Sequence, residues 1–480
     1  MQTAPDPRRW AALAVIALAQ FMVIMDTSII GVALPDIRAD LGFTPGDLSW
    51  VFNAYVIAFG GLLLLGGRLS DLFGAKRLFA LGWAVLAAGS LAAGLADSTG
   101  VEIGARAVQG AGAALIAPSA LTLLMMLFGH EPRELMKAFA VYGAAAPAGG
   151  TAGVFLGGVV TEWASWPWVF YVNIPVALLA LALTPGLMPS APARRGSVDV
   201  AGAMLATAGL AATVFAVVRA PEQGWGSSQT LLVLAGGLLS LALFVALQRV
   251  RREPLVRLGI FRTPNLAAAN VAQVLLGAAW VPMWFFLNLY LQQVLGFGAF
   301  EGGAALLPMT LAIMAGMVVV APRLMIRVGT RPMVAGGLLA LAAGLAALSL
   351  VRPDGSFAVD VLPASLVAAA GMALAFIPSL QTAISSARPD EGGLASGIVN
   401  TGYQVGSALG LAAMTALASA HGADRLGDVG ALTDGYSAAF LGAAGIAVAG
   451  GLLALTTLRR PSAIVAAAGP SAAPTEPLAA

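Results

Sequence analysis

The 480-residue sequence has no cysteine and few charged residues, and each deficit excludes a class of protein. Without cysteine, disulfides and thiolate metal sites cannot form. Charged residues make up 10% of the chain and hydrophobic residues 59%. An ordinary soluble domain has about 25% charged residues, so water is not the expected solvent of this chain. The net charge of +2 is also too small to indicate nucleic acid as a partner.

Motifs for ATP hydrolysis and for common enzyme chemistry are missing as well. A phosphate-binding P-loop needs Gly-Lys, but alanine and methionine precede the two lysines, Lys76 and Lys137. The two histidines, His130 and His421, do not form a His-Glu-x-x-His metal motif, and no segment resembles a nucleophile triad. We therefore expect neither an ATP-driven pump nor an enzyme, and neither a cofactor nor a metal.

Long apolar runs are what the sequence has in abundance. They recur from end to end at about twenty residues each, the length needed to cross about 30 Å of hydrocarbon. Short segments that hold nearly all the charges separate them. These runs predict an all-α polytopic membrane protein with fourteen transmembrane helices, at residues 10–34, 49–67, 78–96, 101–126, 138–160, 168–187, 199–218, 229–249, 265–289, 302–321, 333–351, 359–380, 394–418 and 436–458.

The basic residues predict the orientation of these helices, because Lys and Arg near helix ends stay in the cytoplasm. An even number of spans puts both termini on one side. With the termini inside, 20 of the 25 basic residues are cytoplasmic, 4 are outside, and Arg106 lies within a span. Arginine far outnumbers lysine, which is typical of a GC-rich bacterial genome. We therefore expect a multi-pass protein of a bacterial inner (plasma) membrane with both termini cytoplasmic.

Two features of the sequence recur at nearly one offset. Arg68-Leu69 followed by Gly74 recurs 255 residues later, and the glycines at 149, 153 and 157 recur 253 residues later at 402, 406 and 410. Helices 1–6 thus correspond to helices 9–14, which suits alternating access between two bundles. The predicted regions are a cytoplasmic N-terminus at 1–9, an N-terminal six-helix bundle at 10–187, a linker with two inserted helices at 188–258, a C-terminal six-helix bundle at 259–458 and a disordered cytoplasmic tail at 459–480.

Two charges fall deep inside predicted spans, where each costs several kcal/mol. At about 1.5 Å per residue, Asp26 lies roughly 13 Å and Arg106 roughly 10 Å inside the outer ends of helices 1 and 4. Glu102, one turn before Arg106, is a second possible partner. One reading is a proton site in which Asp26 is the carrier and Arg106 tunes its proton affinity. The other is a fixed ion pair that holds two helices together, and the residues alone leave both open.

The loop after helix 2 has features of a clasp. Gly67 is expected to end the helix, and Gly74 to make a tight turn. Asp71 lies among cations with which it can pair, and such pairing would favour one state of a transporter. The alternative is an ordinary solvated loop of a positive cytoplasmic face. The cations around Asp71 are Arg68, Lys76 and Arg77.

Helix 9 carries aromatic and amide side chains at helical spacing, which indicates a cavity wall rather than a lipid-facing surface. Indole rings bind planar or cationic organic molecules. The alternative is interhelical hydrogen bonding with interfacial Trp anchors. The face comprises Asn270, Gln273, Gly277, Trp280, Trp284 and Asn288. Polar groups available to the same cavity are Gln20, Asn53, Asn400, Tyr403 and Gln404. Because few acids besides Asp26 are buried, a neutral or monocationic amphipathic substrate is expected.

Four segments together resemble one family of transporters. Residues 67–77 (GRLSDLFGAKR) resemble the signature loop of the major facilitator superfamily, and residues 106–112 (RAVQGAG) resemble its fourth-helix motif. Residues 25–35 (MDTSIIGVALP) resemble the first-helix motif of its fourteen-helix drug:proton antiporter family. Residues 166–175 (WPWVFYVNIP) are similar to the sixth-helix entrance of that family. The resemblance is close in the first half, and the two-helix insertion extends it to the whole chain.

The resemblance implies a major facilitator fold of two six-helix bundles plus two extra helices. It also implies that Asp26 and Arg106 belong to proton coupling, and that Asp71 and Arg77 belong to a cytoplasmic gate. The fourth-helix motif residues are Gln109, Gly110 and Gly112.

The antiporter motif of helix 5 departs from the family pattern. That motif usually has Gly-Pro before a final Gly-Gly, whereas valine follows Gly153 here and the proline is displaced to Pro147. Physically, glycines on one helix face let a neighbour approach closely, for packing or as a hinge. The glycines concerned are Gly149, Gly153, Gly157 and Gly158.

Taken together, the sequence predicts a proton-coupled exporter of amphipathic small molecules such as drugs and antibiotics, which works by alternating access as a monomer in the lipid bilayer. Uptake by proton symport, or transport of a lipid or metabolite on the same fold, is the alternative. A channel fits less well, because tandem halves and a midspan charge pair suit a carrier better.

Overall fold

The computed structural model describes residues 8–43, 49–190, 199–251, 254–263, 265–388, 391–425 and 427–459. Within these ranges the chain is built from helices, and none of the described residues forms a strand. The predicted N-terminal segment 1–9 and tail 459–480 lie almost wholly outside them. The helical rods, fourteen in the described chain, are α1 Arg9–Leu41, α2 Ser49–Phe73, α3 Ala75–Gly94, α4 Thr99–Phe128, α5 Pro132–Trp163, α6 Trp168–Tyr171 with Asn173–Leu187, α7 Val200–Gln223, α8 Ser228–Val250, α9 Leu266–Leu289 with Tyr290–Val294, α10 Ala299–Ala315 with Gly316–Val320 and Ala321–Val328, α11 Thr330–Leu348, α12 Phe357–Val361 with Leu362–Ser385, α13 Gly392–Ala420 and α14 Val429–Thr457.

Most of these rods are long and apolar enough to cross a membrane. Among the described residues, 12 meet both criteria, and a shorter apolar helix, Ala201–Val217, lies within α7. The helix α13 is not among the 12 either, and its sequence is rich in glycine and in polar side chains. Fourteen crossings therefore stay a prediction, whereas an all-helical architecture with 12 candidate spans is what the structure has.

Successive rods run in opposite directions between two ends of the bundle. We call the end at which α1 begins the base, and the opposite end the top. At the base, Arg9 at the start of α1 forms an ion pair of 2.7 Å with Glu134 at the start of α5. At the top, the indole Nε1 of Trp166 donates to Asp40 Oδ2 at 2.9 Å, which ties the start of α6 to the end of α1.

Helix contacts repeat with a shift of eight helices. The helix α1 packs against α5 as α9 packs against α13, α3 against α4 as α11 against α12, and α2 against α4 as α10 against α12. Between the two sets, α2 packs against α13 and α10 against α5. This pattern is the one expected of a duplicated six-helix unit. The helices α7 and α8 pack against each other, and α7 also lies against α2 and α13.

The repeated glycine of the two halves occupies the same kind of turn. Gly74 separates α2 from α3 with a φ of 92°, and Gly329 separates α10 from α11 with a φ of 79°. Side chains other than hydrogen are strained in this region of backbone space, which is why glycine stands at both positions. By contrast, the prediction that Gly67 ends the second helix is wrong, because α2 continues to Phe73.

Candidate functional site

A fully buried ion pair joins α1 and α4. Nη1 of Arg106 lies 2.7 Å from Oδ2 of Asp26, and both side chains are inaccessible to solvent. Nε of Arg106 donates to the backbone carbonyl of Val51 at 2.8 Å. The guanidinium carbon also lies 4.7 Å from the centre of the Tyr55 ring. A carboxylate, a carbonyl and an aromatic face thus replace the water that burial removes from the cation.

Two amides complete the surroundings of Asp26. Gln109 Oε1 accepts from Arg106 at 2.8 Å, and Gln109 Nε2 donates to Asp26 Oδ1 at 3.2 Å. Asn173 at the start of α6 donates to the same Oδ1 at 2.6 Å. Ser90 of α3 accepts from Gln109 at 2.8 Å and from Asn173 at 3.2 Å. The buried cluster of Asp26, Arg106, Gln109, Asn173 and Ser90 therefore connects α1, α3, α4 and α6.

Glu102 lies one turn before Arg106 on α4, and it is also fully buried. Both of its carboxyl oxygens lack a hydrogen-bond partner among the described residues. Sequence spacing offered Glu102 as a second partner of Arg106, but the structure does not join the two by a hydrogen bond. Arg106 Nη2 is likewise without a partner in the described chain.

The acid of the predicted clasp binds a helix terminus in the other half of the molecule. Oδ1 of Asp71 accepts from the backbone N–H of Gly393, and Oδ2 from that of Leu394, both at 3.0 Å. Free N–H groups and the helix dipole favour a carboxylate at this position. One turn earlier, a Cβ on Gly67 would lie 2.5 Å from the carbonyl oxygen of Gly393. Gly67 therefore permits the close approach of α13 to α2 at the base.

The two cations after the turn lie within the first half. Nζ of Lys76 donates to the backbone carbonyl of Pro185 at 2.7 Å, which ties the start of α3 to the end of α6. Arg77 is exposed at the base. Gly74 makes the turn between α2 and α3 that brings these cations to the base.

The glycines of α5 lie against α1 directly beside the buried ion pair. A Cβ on Gly153 would lie 2.8 Å from the carbonyl oxygen of Met25, and one on Gly157 would lie 2.9 Å from that of Ile29. A Cβ on Gly149 would overlap α1 in the same way. The two backbones are therefore nearly in contact along this face.

Glycines of α4 have a similar packing role. A Cβ on Gly112 would lie 2.6 Å from the backbone nitrogen of Leu86 on α3, and one on Gly110 would overlap a carbonyl oxygen of α2. Pro147 and Gly158 lie half-buried on α5. Pro147 stands inside that helix, where it removes one backbone donor.

One of the two neighbouring indole rings of α9, that of Trp284, lies against the first half. The rings of Trp280 and Trp284 are 6.3 Å apart and tilted by 40°. Trp280 is buried and Trp284 half-buried. The ring of Trp284 would lie 3.7 Å from a Cβ on Gly150 of α5. Asn288, one turn farther, accepts from Gln292 Nε2 at 2.9 Å.

The base half of the α9 face serves helix packing instead of a cavity. Nε2 of Gln273 donates to the carbonyl of Phe376 at 3.0 Å and to Oγ of Ser379 at 2.9 Å, both on α12. Asn270 donates to the carbonyl of Leu266 on its own helix at 2.9 Å. For Gln273, interhelical hydrogen bonding is therefore the correct interpretation, because α12 offers two acceptors at its level.

The remaining polar candidates make separate contacts in the described chain. Gln20 accepts from the hydroxyl of Tyr142 at 2.7 Å, and Asn53 is buried. Asn400 donates to a carbonyl of its own helix at 2.9 Å. The ring of Tyr403 lies 5.7 Å from that of Phe376. Gln404 lies in a mainly apolar cleft between α2, α7 and α13. The cleft is lined by Val56, Ile57, Gly60, Gly61, Leu210, Val214, Gln404 and Val405.

Comparison with known proteins shows which family has this sequence pattern and this fold. The family model described as Major Facilitator Superfamily matches residues 16–411. The cephamycin export protein CmcT of Amycolatopsis lactamdurans is 40% identical over 437 residues, which cover 90% of this chain and 89% of that protein. The puromycin resistance protein pur8 of Streptomyces alboniger is 38% identical over 466 residues, 95% of this chain and 91% of that protein. The crystal structure of the human organic anion transporter MFSD10 covers 94% of this chain and 100% of its own at a TM-score of 0.68 and 16% identity, a likeness of fold alone.

Proposed function

Because this chain belongs to the major facilitator superfamily and is a multi-pass membrane transporter, we propose that it exports antibiotic-like amphipathic molecules in exchange for protons. Its relatives are named for cephamycin export and for puromycin resistance, which supports efflux as the direction. The family and these relatives are transporters and not enzymes.

The buried pair of Asp26 and Arg106 is the observation that carries this proposal. Protonation of Asp26 would leave Arg106 as a buried cation without a counter-ion. Such an isolated charge inside a membrane protein is costly. The cluster then has to rearrange, and the rearrangement involves α1, which is in backbone contact with α5. Proton binding is in this way linked to the packing of the first six helices.

The link between Asp71 and the start of α13 supports alternating access as the transport mechanism. It holds α2 of one half against α13 of the other at the base, at 3.0 Å from each amide. Opening of the base would break both hydrogen bonds. We propose that the base faces the cytoplasm, that all fourteen rods cross a bacterial inner membrane, and that the bundles 10–187 and 259–458 rock about the linker 188–258 in a monomer.

The substrate proposed is neutral or monocationic. Trp284 lies against α5 and its ring neighbours that of Trp280, and such aromatic rings bind planar or cationic groups. A dication would need two counter-charges, whereas the carboxylate of Asp26 is already paired with Arg106.

The experiment is driven transport by the purified protein in liposomes, with a radiolabelled panel that includes puromycin and lipophilic monocationic dyes. With an acidic lumen, we expect accumulation inside the liposomes that a protonophore abolishes. Accumulation driven by external acid would instead indicate a symporter, and flux insensitive to the gradient a channel.

A variant and a matched control sharpen this experiment. Asp26→Asn should reduce driven accumulation to background while substrate counterflow without a gradient persists. Asp428→Asn removes an exposed acid that only caps α14, and driven transport should remain. Driven accumulation at the normal level in Asp26→Asn would remove Asp26 from the mechanism.

A further inference from the structure

Glu102 is a buried acid for which the ion pair of Asp26 and Arg106 leaves no partner. Its side chain is 0% exposed, and neither carboxyl oxygen accepts a hydrogen bond from any described residue. Arg106, the cation of its own helix, has Nη1 directed to Asp26 and Nε directed to Val51. The remaining nitrogen, Nη2, is unpartnered among the described residues. One cation thus stands near two acids and pairs with only one of them.

The charge state of Glu102 follows from the energies involved. An ionised carboxylate buried without hydrogen-bond donors costs far more free energy than a neutral, protonated carboxyl group in the same place. The position of Glu102 in the first turn of α4 offsets only a small part of the cost of that charge. The neutral, protonated acid is therefore the stable form while Arg106 is bound to Asp26.

The other helices around α4 do not change this balance. The charges that act on Glu102 are Asp26 of α1 and Arg106, and the titratable group facing the cluster from α2 is the phenol of Tyr55. The charged residues of α3 and α5 lie only at the ends of those helices, and the sequences of α6 and α13 contain none.

Glu102 also lies on the side of the cluster that faces the top. It precedes Arg106 by one turn on a helix that begins at the top, which is about 6 Å along the axis. Its sequence neighbours Ile103 and Ala105 belong to an apolar cluster with Trp166 and Phe170. Apolar side chains therefore flank the buried acid on its own helix.

We propose that Glu102 is a second proton-binding residue, which receives a proton from the top and transfers it to Asp26 when Arg106 changes partner. In this step the O–H bond of Glu102 breaks and an O–H bond forms on Asp26. The guanidinium moves from the Asp26 carboxylate to the new Glu102 carboxylate, and its free Nη2 provides the first contact. One anion and one cation are present before and after, so the net charge of the cluster is unchanged. This relay rests on the proposed proton-coupled transport.

The first test is infrared spectroscopy of the purified protein near neutral pH. A protonated carboxylic acid gives a C=O stretching band that an ionised one lacks. We expect such a band in the wild type and its loss in Glu102→Gln. Glu134→Gln is the matched control, because Glu134 lies at the base and is ion-paired with Arg9, and the band should persist there. A band that survives in Glu102→Gln, or is absent from the wild type, would overturn the proposal.

The second test is transport in the liposomes described above. Glu102→Gln should lower gradient-driven transport at least tenfold and flatten its pH profile, while counterflow without a gradient continues. Glu102→Asp keeps an acid and should restore part of the driven rate. Wild-type driven rates and pH profile in Glu102→Gln would refute the relay while leaving the proton-coupled exporter intact. If counterflow is also lost, the infrared result decides.

A different result would identify failure of the proposed function itself. If the wild type does not respond to the gradient at all, proton-coupled export is wrong, whatever the infrared band shows. The band alone then reports whether Glu102 holds a proton.

Discussion

Single residues in the buried cluster are stabilised by each other. Asp26 and Arg106 remain charged without water because each is the counter-ion of the other, and because Gln109 and Asn173 donate further hydrogen bonds to Asp26. If one partner is removed, the charge of the other stays buried without a counter-ion, which lowers the free energy of unfolding. Removal of both charges together leaves no such imbalance.

This reasoning predicts a double-mutant effect on stability. Arg106→Gln alone should destabilise the protein by about 3–5 kcal/mol, the cost of an unpaired buried charge. Asp26→Asn combined with Arg106→Gln should recover a large part of that loss. The measurement is thermal unfolding of the purified single and double variants in detergent. Additive losses in the double variant would mean that the two side chains do not act as an ion pair.

Sequence reasoning could find some residues of the cluster and not others. Asp26 and Arg106 are conspicuous because a charge in an apolar run needs an explanation. Ser90 and Asn173 were missed as site residues, because serine and asparagine occur in helices for many reasons and their partners lie on other helices. The segment around Asn173 was noticed as a motif, and that was the signal available for it.

Between elements, glycine decides how closely helices approach. The face of α5 that bears Gly153 is in contact with the backbone of α1, whereas Gly150 on the same helix has its nearest neighbour atom 3.7 Å from an added Cβ. The same substitution at these two positions therefore has different consequences.

Gly153→Ala should destabilise the protein by about 1–3 kcal/mol, because the added methyl group forces α1 and α5 apart. Gly150→Ala should not destabilise the protein, because its methyl group meets only ordinary contacts at 3.7 Å or more and alanine is favoured over glycine in a helix by about 0.8–1 kcal/mol. Thermal unfolding in detergent and driven transport are the measurements. Equal behaviour of the two variants would contradict the close contact beside Met25.

The link between α2 and α13 makes a second prediction at this scale. Asp71→Asn keeps one acceptor oxygen and replaces the other by an NH2 group, which cannot accept from a backbone N–H. One of the two hydrogen bonds is therefore lost and the other is no longer charge-assisted, a change of about 1 kcal/mol or more, which should shift the population toward states with an open base. The chain has no cysteine, so Ser396→Cys places a single thiol at a buried position of α13. Its labelling by a maleimide should become severalfold faster with Asp71→Asn.

The labelling experiment has a control variant and an outcome that would contradict the prediction. Asp71→Glu, which keeps the charge, should label more slowly than Asp71→Asn. An unchanged rate in both variants would show that Asp71 does not restrain the base.

Helix positions were predictable, but contacts between distant helices were not. Each of the fourteen predicted spans coincides with a helical rod of the described chain, although α1 extends to Leu41, beyond the predicted 34. Gly67 was misread as a helix end because one sequence does not distinguish a terminus from the close approach of a helix that comes more than three hundred residues later. Its real neighbour is Gly393.

At the scale of the whole molecule, the internal repeat predicted the arrangement of contacts. Helices 1–6 and 9–14 pack in matching pairs, and the two halves meet at α2 with α13 and at α5 with α10. In the second of these seams, the hydroxyls of Thr151 and Thr310 share a hydrogen bond. Offsets between repeated motifs carry no information about such side-chain pairs, so this contact was beyond sequence reasoning.

The proposed fourteen crossings can be tested by side-specific labelling. Gly226 lies exposed between α7 and α8 at the top, and Arg77 lies exposed at the base. A membrane-impermeant maleimide added to intact cells should label Gly226→Cys, and should label Arg77→Cys only after permeabilisation. Labelling of both from the same side would mean that the rods do not all cross as proposed.

The inserted pair of helices makes the two lipid-facing flanks of the protein different. The helix α7 packs against both α2 and α13, whereas at the equivalent groove between α5 and α10 the described chain has no comparable packing of an inserted helix. A compound dissolved among the acyl chains therefore meets an obstructed flank on one side of the transporter and a less screened one on the other. Capture from the lipid phase is accordingly expected to be lopsided, even though the two halves that perform it are near copies.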